Sequence, residues 1–176
     1  MRFFKATSQA ERGGSPNVRP NRRVMLAALT TMLVALPASR LAAEQPSDVD
    51  AVKAASKTFY STLSVLDDGS AMERVWARTP YVTYVGPQST SIIVGWDAQR
   101  QYWNDFNKRF AQRRVSLVDD RIHINGNLAW EIGVETGQAH MKDGTIRKVD
   151  WIVTNVYEKL GGQWLMVSHH VQPRPQ

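Results

Sequence analysis

Three glycine-containing reversals stand at Asn125-Gly126, Asp143-Gly144 and Gly161-Gly162, each between long runs rich in β-branched and aromatic residues. Two-residue hairpin turns need positive φ at both central positions, and these dipeptides supply it at little steric cost. In succession they predict a four-stranded antiparallel meander over residues 115–124, 128–141, 146–160 and 164–171.

The preceding segment reads as helices and a hairpin. Ser47 followed by Asp50 has the spacing of a capping box, and Val49, Val52, Phe59, Leu63 and Leu66 recur at helical steps as far as Gly69. Ser70 with Glu73 repeats the capping signal and opens a short helix through Trp76. Residues 81–85 and 91–94 read as two short strands separated by Gly86-Pro87. A third helix places Trp96, Trp103, Phe106 and Phe110 on one face. The expectation is an α+β chain with helices first and a long, curved antiparallel sheet last.

Charge separates a leader from a body. Of 22 Lys+Arg and 16 Asp+Glu, residues 1–43 hold seven bases and one acid, so the remaining residues are neutral overall. A neutral body offers no footprint for a phosphate backbone, and nucleic acid is excluded as a partner. The leader runs from a basic stretch ending at Arg22-Arg23 through apolar residues 24–36 to the small residues Leu41-Ala42-Ala43. That order is the order of a secretory signal, and the apolar stretch is shorter than the about 20 residues a bilayer core requires. The arginine pair resembles a twin-arginine export signal. The expected division is an export signal over 1–43 and one domain over 44–176, periplasmic or secreted, with no membrane contact after signal cleavage. With no cysteine, thiol nucleophiles, disulfides and Cys-ligated metals are excluded.

Two-residue turns would also set which side chains share a face. Taken without bulges, they place Asp119, Arg121, His123, Trp130, Ile132, Val134, Trp151, Val153, Asn155, Tyr157, Trp164, Met166, Ser168 and His170 on one face. The opposite face carries Ala129, Glu131, Gly133, Glu135, Asp150, Ile152, Thr154, Val156, Val167 and His169. The first, larger and more aromatic, is expected to pack on the helices, because burying apolar area is worth about 25 cal/mol per Å².

The order of these elements, with Gly95-Trp96-Asp97, Tyr102-Trp103, Gly126-Asn127-Leu128-Ala129-Trp130 and the terminal Gly161-Gly162-Gln163-Trp164 run to His170, resembles the SnoaL-like members of the nuclear transport factor two-like superfamily. Ketosteroid isomerase, scytalone dehydratase and the kinase association domain are other members. The resemblance covers residues 47–172. It implies a cone in which a strongly curved sheet, a hairpin plus the meander, wraps a long N-terminal helix and leaves a pocket at its open end. It also implies a homodimer through the outer sheet face.

Within that frame His170, at the family's terminal-strand histidine, is a candidate general base or ligand hydrogen-bonder. Asp119, placed about 10 Å from Asn155 by the assumed register, is a candidate carboxylate base in the manner of ketosteroid isomerase. Asn155 stands where the kinase association domain has an arginine. Beside Ser168 it would orient a polar ligand group. Tyr84, Trp103 and Trp130, with Trp76, are candidates for pocket wall or core. His169-His170 is a poor metal signal, because neighbouring strand residues point to opposite faces, and neither a metal nor a cofactor is expected. Three readings stay open. The chain is a cofactor-free acid–base enzyme of isomerase, dehydratase or cyclase type acting on a small apolar molecule, a non-catalytic carrier of such a molecule, or a dimeric interaction module.

Overall fold

The computed structural model describes residues 47–174. The expected export signal over residues 1–43 lies outside the described residues. Helix α1 (Asp48–Thr62) is capped as its sequence predicts: the Ser47 hydroxyl accepts from the Asp50 amide at 3.2 Å. Its buried residues Val52, Ser56, Phe59 and Tyr60 recur at helical spacing and face the sheet. Each fully buried apolar side chain in this stripe contributes about 1.5–3 kcal/mol.

The helix ends at Thr62, short of the expected Gly69. Ser61 and Thr62 hydroxyls bond back to the carbonyls of Thr58 and Phe59, at 2.8 and 2.7 Å, and so compete with the helix ladder. The next turn, a 3-10 segment Ser70–Arg74, is held by Asp67 and not by Ser70 with Glu73. One Asp67 oxygen accepts from the Gly69 amide, and the other from the Ser70 hydroxyl and the Ala71 amide, at 2.9, 2.9 and 2.8 Å.

Strands β1 (Thr83–Val85) and β2 (Ile93–Val94) pair antiparallel, and helix α2 (Trp96–Asn107) follows. Strands β3 (Phe110–Asn125), β4 (Leu128–Met141), β5 (Ile146–Leu160) and β6 (Gln163–Pro173) form the meander. β1 joins β6 in parallel, giving one curled six-stranded sheet in the order β2-β1-β6-β5-β4-β3.

Register is where the structure departs from the two-residue-turn assumption. Gly161 and Gly162, at φ +57° and +83°, do form the third turn as expected, with Leu160 opposite Gln163. The first turn lies one residue later than expected, with Asn125 opposite Leu128, a displacement that leaves the faces unchanged. The second reversal takes three residues. His140 faces Ile146, the Met141 amide donates to the Thr145 carbonyl at 2.8 Å, and Gly144 carries the positive φ of +86°. The extra residue reverses the phase of β4 relative to β5. Ala129, Glu131, Gly133 and Glu135 therefore turn inward, joining Val153, Asn155 and Tyr157 of β5.

Two bulges complete the correction. Asp119, at φ +54°, sits in the irregularity between Val118 and Arg121 and is exposed. A short polar side chain tolerates that left-handed conformation. The bulge keeps apolar residues inward on both sides of it, Val115 and Leu117 before and Ile122 and Ile124 after. A second bulge at Val167 moves the pairing from Tyr157 with Met166 to Asn155 with His169. His169 thus faces inward and His170 is exposed on the outer face, in the row Ile132, Thr154, His170.

At Gly137 the backbone of β3 comes too close to β4 for a side chain. Its φ is +151°, and an added Cβ would drive into the carbonyl oxygen of Arg114. Gly137→Ala is expected to destabilise the fold by about 2–4 kcal/mol, read from the midpoint of urea unfolding. A cost below about 0.5 kcal/mol would mean that β3 and β4 separate freely there.

Candidate active site

One cross-strand row runs through four strands: Glu131 on β4, Asn155 on β5, His169 on β6 and Tyr84 on β1. Helix α1 adds Ser56, Phe59 and Tyr60 from above, and β3 adds Arg113. Burying so many polar groups is costly unless each finds a partner, and most do.

Glu131 Oε2 accepts from the Ser56 hydroxyl, the Asn155 Nδ2 and the Tyr157 hydroxyl, at 2.8, 2.9 and 2.9 Å. Three donors saturate that oxygen and tie α1 to β4 and β5. Asn155 Nδ2 also donates to the Tyr60 hydroxyl at 3.2 Å, and Tyr60 donates onward to Glu135 Oε1 at 3.1 Å.

The amide's orientation determines the imidazole's tautomer. Because Asn155 Nδ2 is committed as a donor, its Oδ1 accepts, and His169 Nδ1–H donates to it at 2.7 Å. Nε2 is then left as a bare acceptor, 3.8 Å from Glu135 Oε1. The ring is stacked on Tyr84, with centroids 5.2 Å apart and planes 10° from parallel, and is tilted against Phe59 at 5.1 Å. Burial, with a smaller push from the neighbouring His170, lowers the His169 pKa to about 3 and keeps the ring neutral. Burial raises the Glu135 carboxyl to about 7, against smaller downward pulls from the Tyr60 hydrogen bond and the Arg113 charge. A carboxyl that gains and loses its proton near neutrality, beside an imidazole with a free lone pair, is equipped for proton transfer.

Glu135, His169 and Arg113 line an inner chamber of about 50 Å³ walled by aromatic rings. It shares Pro87, Phe106, Phe110, Ala139, Val149 and Trp151 with an outer cleft of about 730 Å³ that opens to solvent. The neck between the two is therefore apolar, and Glu135, His169 and Arg113 sit beyond it. Among the described residues no group of three His, Asp or Glu is gathered closely enough to hold a metal ion. None of the described helices is long and apolar enough to cross a membrane.

Of the residues singled out from sequence, Tyr84 and Trp103 line the inner chamber and Asn155 stands one layer behind it, fully buried. Trp76 is buried in the core, and the other four lie elsewhere. Asp119 is exposed at its bulge, and His170 is exposed on the outer face. Ser168 is half-buried and accepts from the Thr83 hydroxyl at 2.8 Å, and Trp130 lies tilted against His123 with ring centroids 4.3 Å apart. The phase reversal at Gly144 and the bulge at Val167 account for His170, Ser168 and Trp130. Sequence reasoning missed Glu131, Glu135, His169 and Arg113. The signals were present: the apolar phase of β3 changes after Leu117, that of β6 after Met166, and Ala129 and Gly133 alternate with the two glutamates as small residues beneath a helix would.

The curled sheet over a helix is a fold shared with solved structures of nuclear transport factor 2-like proteins. A proposed dehydratase of that family from Streptomyces avermitilis is similar in fold, at TM-score 0.65 and 18% identity over 73% of this chain and 98% of the other. A nuclear transport factor 2-like superfamily protein from Salmonella enterica matches at 0.65 and 17%, over 71% and 89%. A proposed aromatic ring hydroxylase from Novosphingobium aromaticivorans matches at 0.67 and 13%, over 76% and 94%. No curated protein matches the sequence. The SnoaL-like domain family matches residues 52–172, and the chain belongs to that family.

The two inward groups make opposite contributions to acid stability. Between pH 4.5 and about 7 the folded protein keeps a proton on Glu135 that the unfolded chain releases, so this group makes stability fall as pH rises, by about 3 kcal/mol in all. Between about 3 and 6.5 the unfolded chain protonates its histidine while the folded protein does not, so His169 makes stability rise with pH. The two slopes oppose each other between pH 4.5 and 6.5. Urea unfolding should show a shallow profile in that window for the wild type and a clear rise with pH for Glu135→Gln. Parallel profiles would mean that Glu135 titrates as an ordinary exposed carboxyl.

Proposed function

We propose that this protein is a cofactor-independent acid–base enzyme of isomerase or dehydratase type, acting on a small apolar molecule held in the cleft. The observation that carries the reading is the pairing of Glu135 with His169 Nε2 at the blind end of an aromatic pocket. Ionised Glu135 takes a proton from the carbon beside a substrate carbonyl. Returning that proton to another carbon completes an isomerisation, and handing it to a departing hydroxyl as water completes a dehydration. Neither route transfers electrons to or from the protein.

His169 is the second station. Its fixed Nδ1–H···Oδ1 bond to Asn155 leaves Nε2 facing Glu135 at 3.8 Å, too far for a hydrogen bond in this structure but near enough to accept one from the protonated carboxyl after a small side-chain shift. Tyr60 plays the complementary part by stabilising the ionised form. Similarity to a proposed dehydratase supports the reaction class only through the shared fold.

A screen of cyclic enones and β-hydroxy ketones, followed by absorbance, tests this reading. For any substrate found, Glu135→Gln is expected to lower kcat/KM by about 10²–10⁴-fold. The wild-type profile should rise with an apparent pKa near that of Glu135, about 7. Turnover that survives Glu135→Gln removes the carboxyl from the chemistry. Binding without turnover across the screen favours the carrier reading.

Export through the leader, and a homodimer formed by the outer face, belong to the same proposal. Val118, Ile132 and Ile152 remain 40, 44 and 38% exposed, an apolar surface that a second copy would cover. Light scattering at about 50 µM, well above the dissociation constants of specific interfaces, is expected to read a dimer, and a monomer mass removes that part.

A further inference from the structure

Arg113 is the buried cation for which proton transfer has no use. It is 4% exposed. Its Nε donates to the Leu63 carbonyl at 2.6 Å and its Nη2 to Asn107 Oδ1 at 3.0 Å, so the guanidinium is fixed by two neutral acceptors. The rings of Phe110, Phe106 and Trp103 lie 4.8, 5.3 and 5.8 Å from its central carbon. Its third nitrogen, Nη1, is buried with no partner. Among the described residues no carboxylate forms an ion pair with it. An interior charge left this way is expensive unless something completes it.

The surroundings indicate what does. Arg113 lies on the wall of the inner chamber, which has room for a carboxylate-sized group. Among the described residues the cleft leading there is lined by Arg109, Arg147 and Lys148 and by no acid. Lys148 pairs with Asp150 at 3.6 Å and Arg147 approaches Gln88 at 3.4 Å, both at the surface. Among the described residues Glu135 is the only acid on the chamber wall.

We infer that the ligand of this pocket is an apolar, ring-bearing carboxylic acid, its carboxylate bound by Arg113 in the inner chamber and its ring held in the outer cleft between Phe106, Phe110 and Trp151. This rests on the pocket described above and names the substrate class for it, but it does not require that Glu135 be catalytic. Arg113 supplies a preorganised donor to the anion, since both of its other bonds are already made. Arg109 and Arg147 attract the acid to the mouth.

Calorimetric titration with 2-naphthoate and the uncharged 2-naphthalenemethanol at pH 8 tests it. The naphthoate is expected to bind about tenfold or more tightly than the alcohol. In Arg113→Gln that preference should fall to about twofold or less, while the alcohol binds as before and so reports an intact pocket. Equal binding of the two probes to the wild type overturns the inference, as does no naphthoate binding at about 1 mM. A preference that survives Arg113→Gln also overturns it, because the mouth cations would then carry the selectivity. If Arg113→Gln does not fold, Glu135→Gln decides: losing the competing carboxylate should tighten naphthoate about threefold or more and leave the alcohol unchanged. Unchanged naphthoate affinity overturns the inference. These readouts are affinities, so an inactive or fully active Glu135→Gln enzyme bears on the catalytic proposal and not on this one.

Discussion

Two carboxylates, Glu131 and Glu135, lie 1 and 2% exposed beneath a single helix, and neither can stay there without donors aimed at it. The rest of the interior is arranged around that requirement. Ser56, Tyr60, Asn155 and Tyr157 come from one helix and one strand that have no other reason to present polar groups at the same depth. Satisfying Glu131 makes Asn155 a donor on its nitrogen side. Its oxygen must then accept, and His169 is held in one tautomer as a consequence. The chain of commitments ends at Glu135, which receives one hydrogen bond where Glu131 receives three.

That difference in satisfaction separates two chemically identical side chains four residues apart. Glu131 is enclosed by donors and ties the helix to the sheet. Glu135 faces a small void, with an imidazole lone pair on one side, and its pKa moves toward neutrality because burial outweighs the Tyr60 hydrogen bond and the Arg113 charge. The structural role of Glu131 and the reactive role proposed for Glu135 would thus be divided by environment alone. The aromatic walls serve both. Phe59, Tyr84 and Trp103 wall the chamber with apolar rings, a low-dielectric setting that strengthens the electrostatic interactions inside.

Much of the architecture was legible in the chain. Glycine-containing reversals, a capped amphipathic helix and long β-rich runs specify helices followed by an antiparallel meander, because turn chemistry and periodicity act locally. Asn155, Tyr84 and Trp103 were reachable by the same means, since the strand around Asn155 keeps one phase along its length. The site's acids and its imidazole were not. Each depends on counting residues across a turn or a bulge, and a one-residue error moves every later side chain to the opposite face.

What the amino-acid order determined by itself is the order of elements, a basic N-terminal stretch ahead of residues that are neutral overall, and the absence of thiol chemistry. Which face of β4 turns inward was decided only in three dimensions. Asp143-Gly144 is compatible with a two-residue turn and with the three-residue one found. The choice follows from the fit of the whole sheet: with β4 in the observed phase, Ala129 and Gly133 leave room for the packing against them, and both glutamates reach their donors on α1 and β5. With the other phase, Trp130 and Ile132 would occupy that space and four buried polar side chains would lose their acceptors. Local propensity cannot weigh that difference, because the groups that determine it are separated by 24–75 residues along the chain.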